Sequence, residues 1–284
     1  MDLSNGMFVN SKLISDIKKE YKKLFDNIGL ISGEDFSNYS GVTDKINNWI
    51  SSKTNGLIKN LIDQSYINMS TLMILVNTLY FKSKWRFEFD KSNTHDDSFR
   101  TSKDKIQTVE LMYTKNSYLY YENENIQLIE IPYKDQNYVM RVLLPRYNVK
   151  EVRTNISDLS NRLHNEKVSL YLPKFKIDIR MDLTELFKDI GINLLFDRDK
   201  ASLKNILDNK NLPNIYVNNL IHQSVIIVDE EGTEAAAATA ITMFLNCSVP
   251  TTEITYIFRA DHTFQYQILH KPTQTILFNG VYDG

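Results

Sequence analysis

Cysteine, proline and glycine are all scarce in this chain, at 1, 6 and 9 of 284 residues. With Cys247 alone, no internal disulfide framework and no all-cysteine metal site can form. The chain has no repeat and no Pro/Gly-rich linker, so a single domain over residues 1–284 is expected, with mixed helices and strands. Neither sign of charge dominates: 33 Lys+Arg face 35 Asp+Glu, a formal net charge of -2. A nucleic-acid partner would need a basic excess, and none is present. Long apolar runs are missing too. The most apolar stretch, Leu72 to Phe81, is half of the roughly 20 residues a membrane span needs, and Asn77 interrupts it. The opening MDLSNGMFVNSKL has no basic region followed by an apolar core, so no secretory signal is read. A cytoplasmic location without membrane contact is the expectation. The sequons at Asn38, Asn68, Asn155 and Asn246 matter only in a secreted chain.

Signatures of catalysis are missing as well. There is no Gly-x-Ser-x-Gly elbow, no phosphate-cradling glycine loop and no His-Glu-x-x-His zinc helix. The five histidines, His95, His164, His222, His262 and His270, never fall at metal-ligand spacing. Cys247 with distant histidines fits a small loop side chain better than a nucleophile. No catalytic residue, metal or cofactor is expected.

What is present is a core-forming pattern. Residues 16 to 25 put Ile17, Tyr21, Leu24 and Phe25 on one helical face with lysines opposite. A second helix is expected to start near Thr43-Asp44, to carry Ile46, Trp49 and Ile50 inward, and to stop at Gly56. Thr71 to Phe81 lacks clear alternation and suits a strand buried on both faces. Residues 126 to 145 read as two strands around a polar turn at Lys134 to Asn137, and Val168 to Ile179 as a strand pair around Pro173. A helix follows at Leu183 to Ile190 with Gly191 as its stop, and strands at Val225 to Val228 and Phe264 to Val281 close the chain.

One segment stands apart, DEEGTEAAAATAITMFLNCSVPTTE, residues 229 to 253. Its alanines favour a helix, which Thr233 could cap, while Gly232, the following β-branched residues and Pro250 oppose one. Read with period two, one face carries Thr233, Ala235, Ala237, Thr239, Ile241 and Met243. The other carries Glu234, Ala236, Ala238, Ala240, Thr242 and Phe244. The segment therefore has two accessible states, an exposed loop and an inserted strand with its small residues inward. So long an interval between strands is a functional signal.

In its context the segment resembles the serpin family. VDEEGTEAAAATA is similar to the proximal hinge of inhibitory serpins, here Glu230, Glu231, Gly232, Thr233, Glu234, Ala235, Ala236, Ala237, Ala238 and Thr239. INNWISSKTNGLI (46 to 58) resembles the family's helix F motif, and LVNTLYFKSKWRFEF (75 to 89) its third central strand and breach, carrying Trp85. The VELM run at 109 to 112, LYLPKFKI at 170 to 177, LFKDIGINLLF at 186 to 196, FRADHTF at 258 to 264 and ILFNG at 276 to 280 complete the pattern. Thr263 stands where the family has proline.

The resemblance implies an α+β serpin fold with a large central β-sheet and an exposed reactive-centre loop at about 230 to 253. It also implies suicide inhibition: a protease attacks the loop, and the cleaved loop inserts into the sheet. Asn77 and His222 match a buried network that controls sheet opening. The usual loop length puts the attacked bond at Asn246-Cys247; a loop one residue shorter puts it at Leu245-Asn246. The AAAAT hinge and the cysteine after the bond are most similar to poxviral serpins of the cytokine response modifier type. That implies suppressed apoptosis or inflammation in the cytoplasm of an infected host. Candidate partners are chymotrypsin-like, granzyme, caspase or legumain-like proteases. Asn246 lacks the charge that the arginines of a caspase pocket clamp. The resemblance begins at the second central strand and lacks the family's four N-terminal helices. An uncovered sheet face able to self-associate is therefore expected, and with it an alternative reading as a non-inhibitory binder or decayed paralogue.

Overall fold

The structure, a computed structural model, describes residues 2–147, 149, 155–201, 203–208, 215–233 and 254–284. The first strands are β1 (Asp2–Asn10), β2 (Gly29–Glu34), β3 (Met73–Tyr80), β4 (Ser83–Lys84), β5 (His95–Arg100) and β6 (Ile106–Glu122). They are followed by β7 (Ile126–Pro132), β8 (Tyr138–Pro145), β9 (His164–Pro173), β10 (Phe175–Asp182) and β11 (Asn219–Val228). The last are β12 (Gly232–Thr233), β13 (Thr255–Arg259), β14 (Phe264–His270) and β15 (Thr275–Tyr282). The α-helices are α1 (Lys19–Asp26), α2 (Tyr39–Lys53) and α3 (Thr184–Asp189).

Two compact units result, Met1–Phe81 with Ile177–Ile226, and Lys82–Lys176 with Ile227–Gly284. In the first unit the sheet order is β2, β1, β3, β11, with β10 also paired to β11. The β3–β11 ladder is direct and parallel, from Ile74 opposite Asn219 to Tyr80 opposite Val225. β3 alternates, against the expectation of burial on both faces. Ile74, Val76, Thr78 and Tyr80 are buried, whereas Leu75, Asn77 and Leu79 are only half-buried. The partner of Leu79 across the ladder, Leu3 of β1, is 52% exposed. At the other end of that face, Met7, Val9 and Met73 are covered by Leu13, Ile17, Leu207, Ile215 and Val217.

The helices depart from the expected boundaries for local reasons. α2 starts at Tyr39 because the Asn38 side chain accepts from the Gly41 backbone N–H at 3.1 Å, so Thr43 and Asp44 lie inside the helix. It ends as expected, with Gly56 at φ +78° returning its N–H to Ser51. α1 begins only at Lys19, which leaves Ile17 before the helix in a β-bridge to Leu207. Leu24 consequently points outward and is 69% exposed.

The second unit is built on a sheet ordered β13, β9, β6, β7, β8, β14, β15, with β5 also paired to β6. Ile126, Leu128 and Leu143 of this sheet pack with Ile156 and Leu159. The polar turn after Pro132 joins β7 and β8 as expected. The 17-residue β6 was not legible, because its central Thr114, Lys115, Asn116 and Ser117 carry no hydrophobic alternation.

Candidate functional site

The chain segment entering the loop, Asp229 to Thr233, is fastened within the second unit. Asp229 Oδ1 accepts from the backbone N–H groups of Glu231 and Gly232, at 3.0 and 3.1 Å. The Asp229 N–H donates to the Gly232 carbonyl at 2.9 Å, closing a tight turn. Val228 of β11 pairs antiparallel with Thr233, and β12 pairs in turn with Ser83 and Lys84 of β4. Gly232 has φ +154°, and a Cβ there would sit 2.2 Å from the Ser83 carbonyl oxygen. Only glycine fits this close backbone approach.

Trp85 supports the turn from beneath. It is 1% exposed and stacks on Tyr133 with ring centroids 4.5 Å apart. Its indole N–H donates to the Asp229 carbonyl at 2.8 Å, and its backbone N–H donates to the Glu231 carbonyl at 2.8 Å. Phe89 N–H donates to the Glu230 carbonyl at 2.8 Å. The buried carboxylates are paired as well. Glu231 accepts from Lys91 at 2.8 Å and from Lys84 at 3.5 Å. Glu230 accepts from Thr94 Oγ1 at 3.0 Å and pairs with Lys174 at 3.5 Å. The Lys91 hydrogen bond, with Lys84 behind it, holds Glu231 below the usual carboxylate range. Asp229 is pushed up by burial, and the charges of Glu230 and Glu231 add to the effect. A cleft of about 780 Å³ opens beside this turn, lined among others by Lys91, Glu110, Lys174, Phe175 and Glu230.

A second cluster belongs to the first unit. Asn5 on β1, Asn77 on β3 and His222 on β11 are register partners on one sheet face. His222 Nδ1 bonds Asn77 Oδ1 at 2.7 Å, Asn77 Nδ2 donates to Asn5 Oδ1 at 2.8 Å, and Asn5 Nδ2 donates to the Ile28 carbonyl at 2.7 Å. Burial lowers the His222 pKa. Asn5 was missed by sequence reasoning; only the β1–β3 register, with Asn5 opposite Asn77, could have revealed it. In the helix F motif, Asn47 clamps the Ile62 backbone through both N–H and C=O, and Trp49 packs edge-on against Phe8.

The structure thus gathers Glu230, Glu231, Gly232 and Trp85 in one place and Asn77 with His222 in another. Glu234, Ala235, Ala236, Ala237, Ala238 and Thr239, and both candidate bonds at Leu245, Asn246 and Cys247, lie outside the described residues. Among the described residues no cluster of His, Cys, Asp and Glu could hold a metal ion, and no helix is long and apolar enough to cross a membrane.

A family model described as serpin (serine protease inhibitor) matches residues 1–283. An uncharacterised serpin-like protein of Acanthamoeba polyphaga mimivirus is 36% identical over 100% of this chain and 72% of its own length. The leukocyte elastase inhibitor of Equus caballus is 34% identical over 83% of this chain. The match takes in 64% of that inhibitor's length, so the chain is markedly shorter than such relatives. Among solved structures, a serpin from the trematode Schistosoma haematobium superposes with TM-score 0.82 at 26% identity, covering 100% of this chain and 73% of that one.

Proposed function

The chain belongs to the serpin family, a family of protease inhibitors rather than enzymes, and on that premise we propose that it inhibits a protease by cleavage and insertion of its loop. The observations that carry this reading are the direct β3–β11 ladder of the first unit and the fastened Gly232 of the second. β12 runs antiparallel to β11, and β3 runs parallel to it. A strand that continued β12 along β11 would therefore be antiparallel to both neighbours. Insertion would exchange one parallel ladder for two antiparallel ones, which are the stronger pairing per residue and bring a second set of hydrogen bonds. The small side chains of Thr233, Ala235, Ala237 and Thr239 suit passage into such a sheet, because they add little volume to a packed face.

The attacked carbonyl in this reading is that of Asn246, with the bond to Cys247 breaking; Leu245-Asn246 is the second register. Asn246 suits a legumain-like cysteine protease, and Leu245 a chymotrypsin-like serine protease. Granzyme and caspase partners follow from the similarity to poxviral serpins, as does a role against host apoptosis or inflammation in the cytoplasm. The mimivirus relative supports a viral setting in general terms. In this role residues 1–284 act as one domain. A second reading, a non-inhibitory binder or decayed paralogue that self-associates, is favoured by exposed Leu3, Leu186 and Ile190 in the first unit.

Incubation with legumain, chymotrypsin, granzyme B and a caspase, followed by denaturing gels, separates the two. A covalent complex resistant to denaturant is expected with at least one protease, with the cut mapped by mass spectrometry to residues 243–247. Cleavage without a complex, and without a rise in melting temperature afterwards, would leave only the second reading.

A further inference from the structure

In the second unit a cavity of about 340 Å³ lies apart from the loop turn, with a floor that includes Tyr118, Glu130 and Val139. That volume is at the lower end of the range for small-molecule sites. Among the described residues Glu130 is the one acidic residue of the lining, and it is 4% exposed. Two cations share it: Arg141 Nε donates to Oε2 at 2.9 Å from the interior, and Lys271 Nζ to Oε1 at 2.9 Å from the rim. The trio therefore carries one net positive charge. Arg86 adds a second; its guanidinium lies 5.5 Å from the Phe87 ring centroid, and among the described residues no carboxylate pairs with it. The exposed side chains of Ser117, Gln136 and Asn165 supply further hydrogen-bonding groups in the lining. Apolar surface completes the wall, from Leu119, Val139, Pro132 and the edge-to-face pair of Phe87 and Tyr118.

We propose that this cavity binds a small organic anion, a phosphate or carboxylate attached to a flat apolar body. Lys271 and Arg86 would meet the anionic group, since Lys271 has only part of a shared carboxylate and Arg86 has none. The ring or alkyl body would lie against Phe87, Leu119 and Val139. The buried Arg141 is a positioning residue: it holds Glu130 so that the carboxylate does not neutralise Lys271 fully. Nothing in this arrangement depends on loop cleavage, so the site would act whether or not the protein inhibits a protease.

Calorimetric titration of the full chain at low salt with phenyl phosphate, inorganic phosphate and benzyl alcohol tests the proposal. Saturable binding of phenyl phosphate is expected, weaker by about tenfold in both Arg86→Gln and Lys271→Gln and reduced by added salt. Inorganic phosphate should bind more weakly, benzyl alcohol should not bind, and Lys59→Gln, on an exposed lysine outside the cavity, should change nothing. Among the described residues Arg86 holds no ion pair, so its substitution should leave the fold intact and the outcome readable. Equal affinity of both cavity variants and the parent, no saturation below about 10 mM, or equal affinity for phosphate and phenyl phosphate would overturn it.

Discussion

The turn at Asp229 to Gly232 and the row of Asn5, Asn77 and His222 hold their surroundings by opposite means. The turn is fastened by main chain and by charge: three backbone carbonyls accept from Trp85 and Phe89, and two buried carboxylates are each paired with lysine. The row carries no charge; its members sit opposite one another on paired strands, and three neutral side chains bridge those strands on a half-buried face. Many coupled contacts make a stiff anchor, whereas a thin chain of single hydrogen bonds makes a latch. In the proposed inhibition the turn would be the part that holds and the row the part that yields.

The largest expected effect is on the anchor. Trp85→Ala removes the stack on Tyr133 and the donor to Asp229 together, and should cost about 3–5 kcal/mol in denaturant unfolding. A loss below about 1 kcal/mol would mean that the anchor does not depend on its indole support. Gly232→Ala comes next, at about 1–3 kcal/mol, because the new Cβ meets backbone rather than a movable side chain. Hydrogen exchange should show the accompanying damage confined to β4, β12 and the turn.

The latch should yield less. Asn77→Ala breaks two hydrogen bonds on a half-buried face and should cost about 1–2 kcal/mol. If Asn77→Ala cost more than Trp85→Ala, the two regions would have exchanged roles.

Acidification separates them by pH. Burial lowers the His222 pKa from 6.5, so the unfolded state takes up its proton first, and stability falls as pH drops below about 6.5. Glu231 has its pKa lowered from 4.5, so its contribution is complete above that value and is lost as pH falls below it. Asp229 opposes this: its raised pKa makes its burial least costly when protonated, so part of the anchor's loss in acid is returned. Unfolding measured from pH 7 to 3 should therefore show a first decline that His222→Gln removes and a later one that Glu231→Gln removes. A single decline abolished by Glu231→Gln alone would contradict the order.

Much of this architecture was legible in the residues. The polar turn between β7 and β8, the stop of α2 at Gly56 and of α3 before Gly191 follow from local conformational preference, and the structure has them. Other features were not. The α2 cap is Asn38 rather than Thr43 or Asp44, because several polar residues there can cap and only the tertiary position of the helix selects one. The apolar content of β3 predicts burial on both faces, but burial depends on what lies over each face, and Leu75, Asn77 and Leu79 are only half-covered.

The family, the strand and helix segments with strong local signals, and the charge and size pattern of the hinge residues are all encoded locally. Those properties reside in residue types and their spacing along the chain. Tertiary structure alone decided that Glu230 and Glu231 would find Lys174, Lys91 and Lys84, that Gly232 would lie against Ser83, and that Asn5 would complete the row of Asn77 and His222. These partners come from segments 56 to 149 residues away along the chain, and no short-range pattern encodes which of many lysines or asparagines the packed backbone brings within hydrogen-bonding reach.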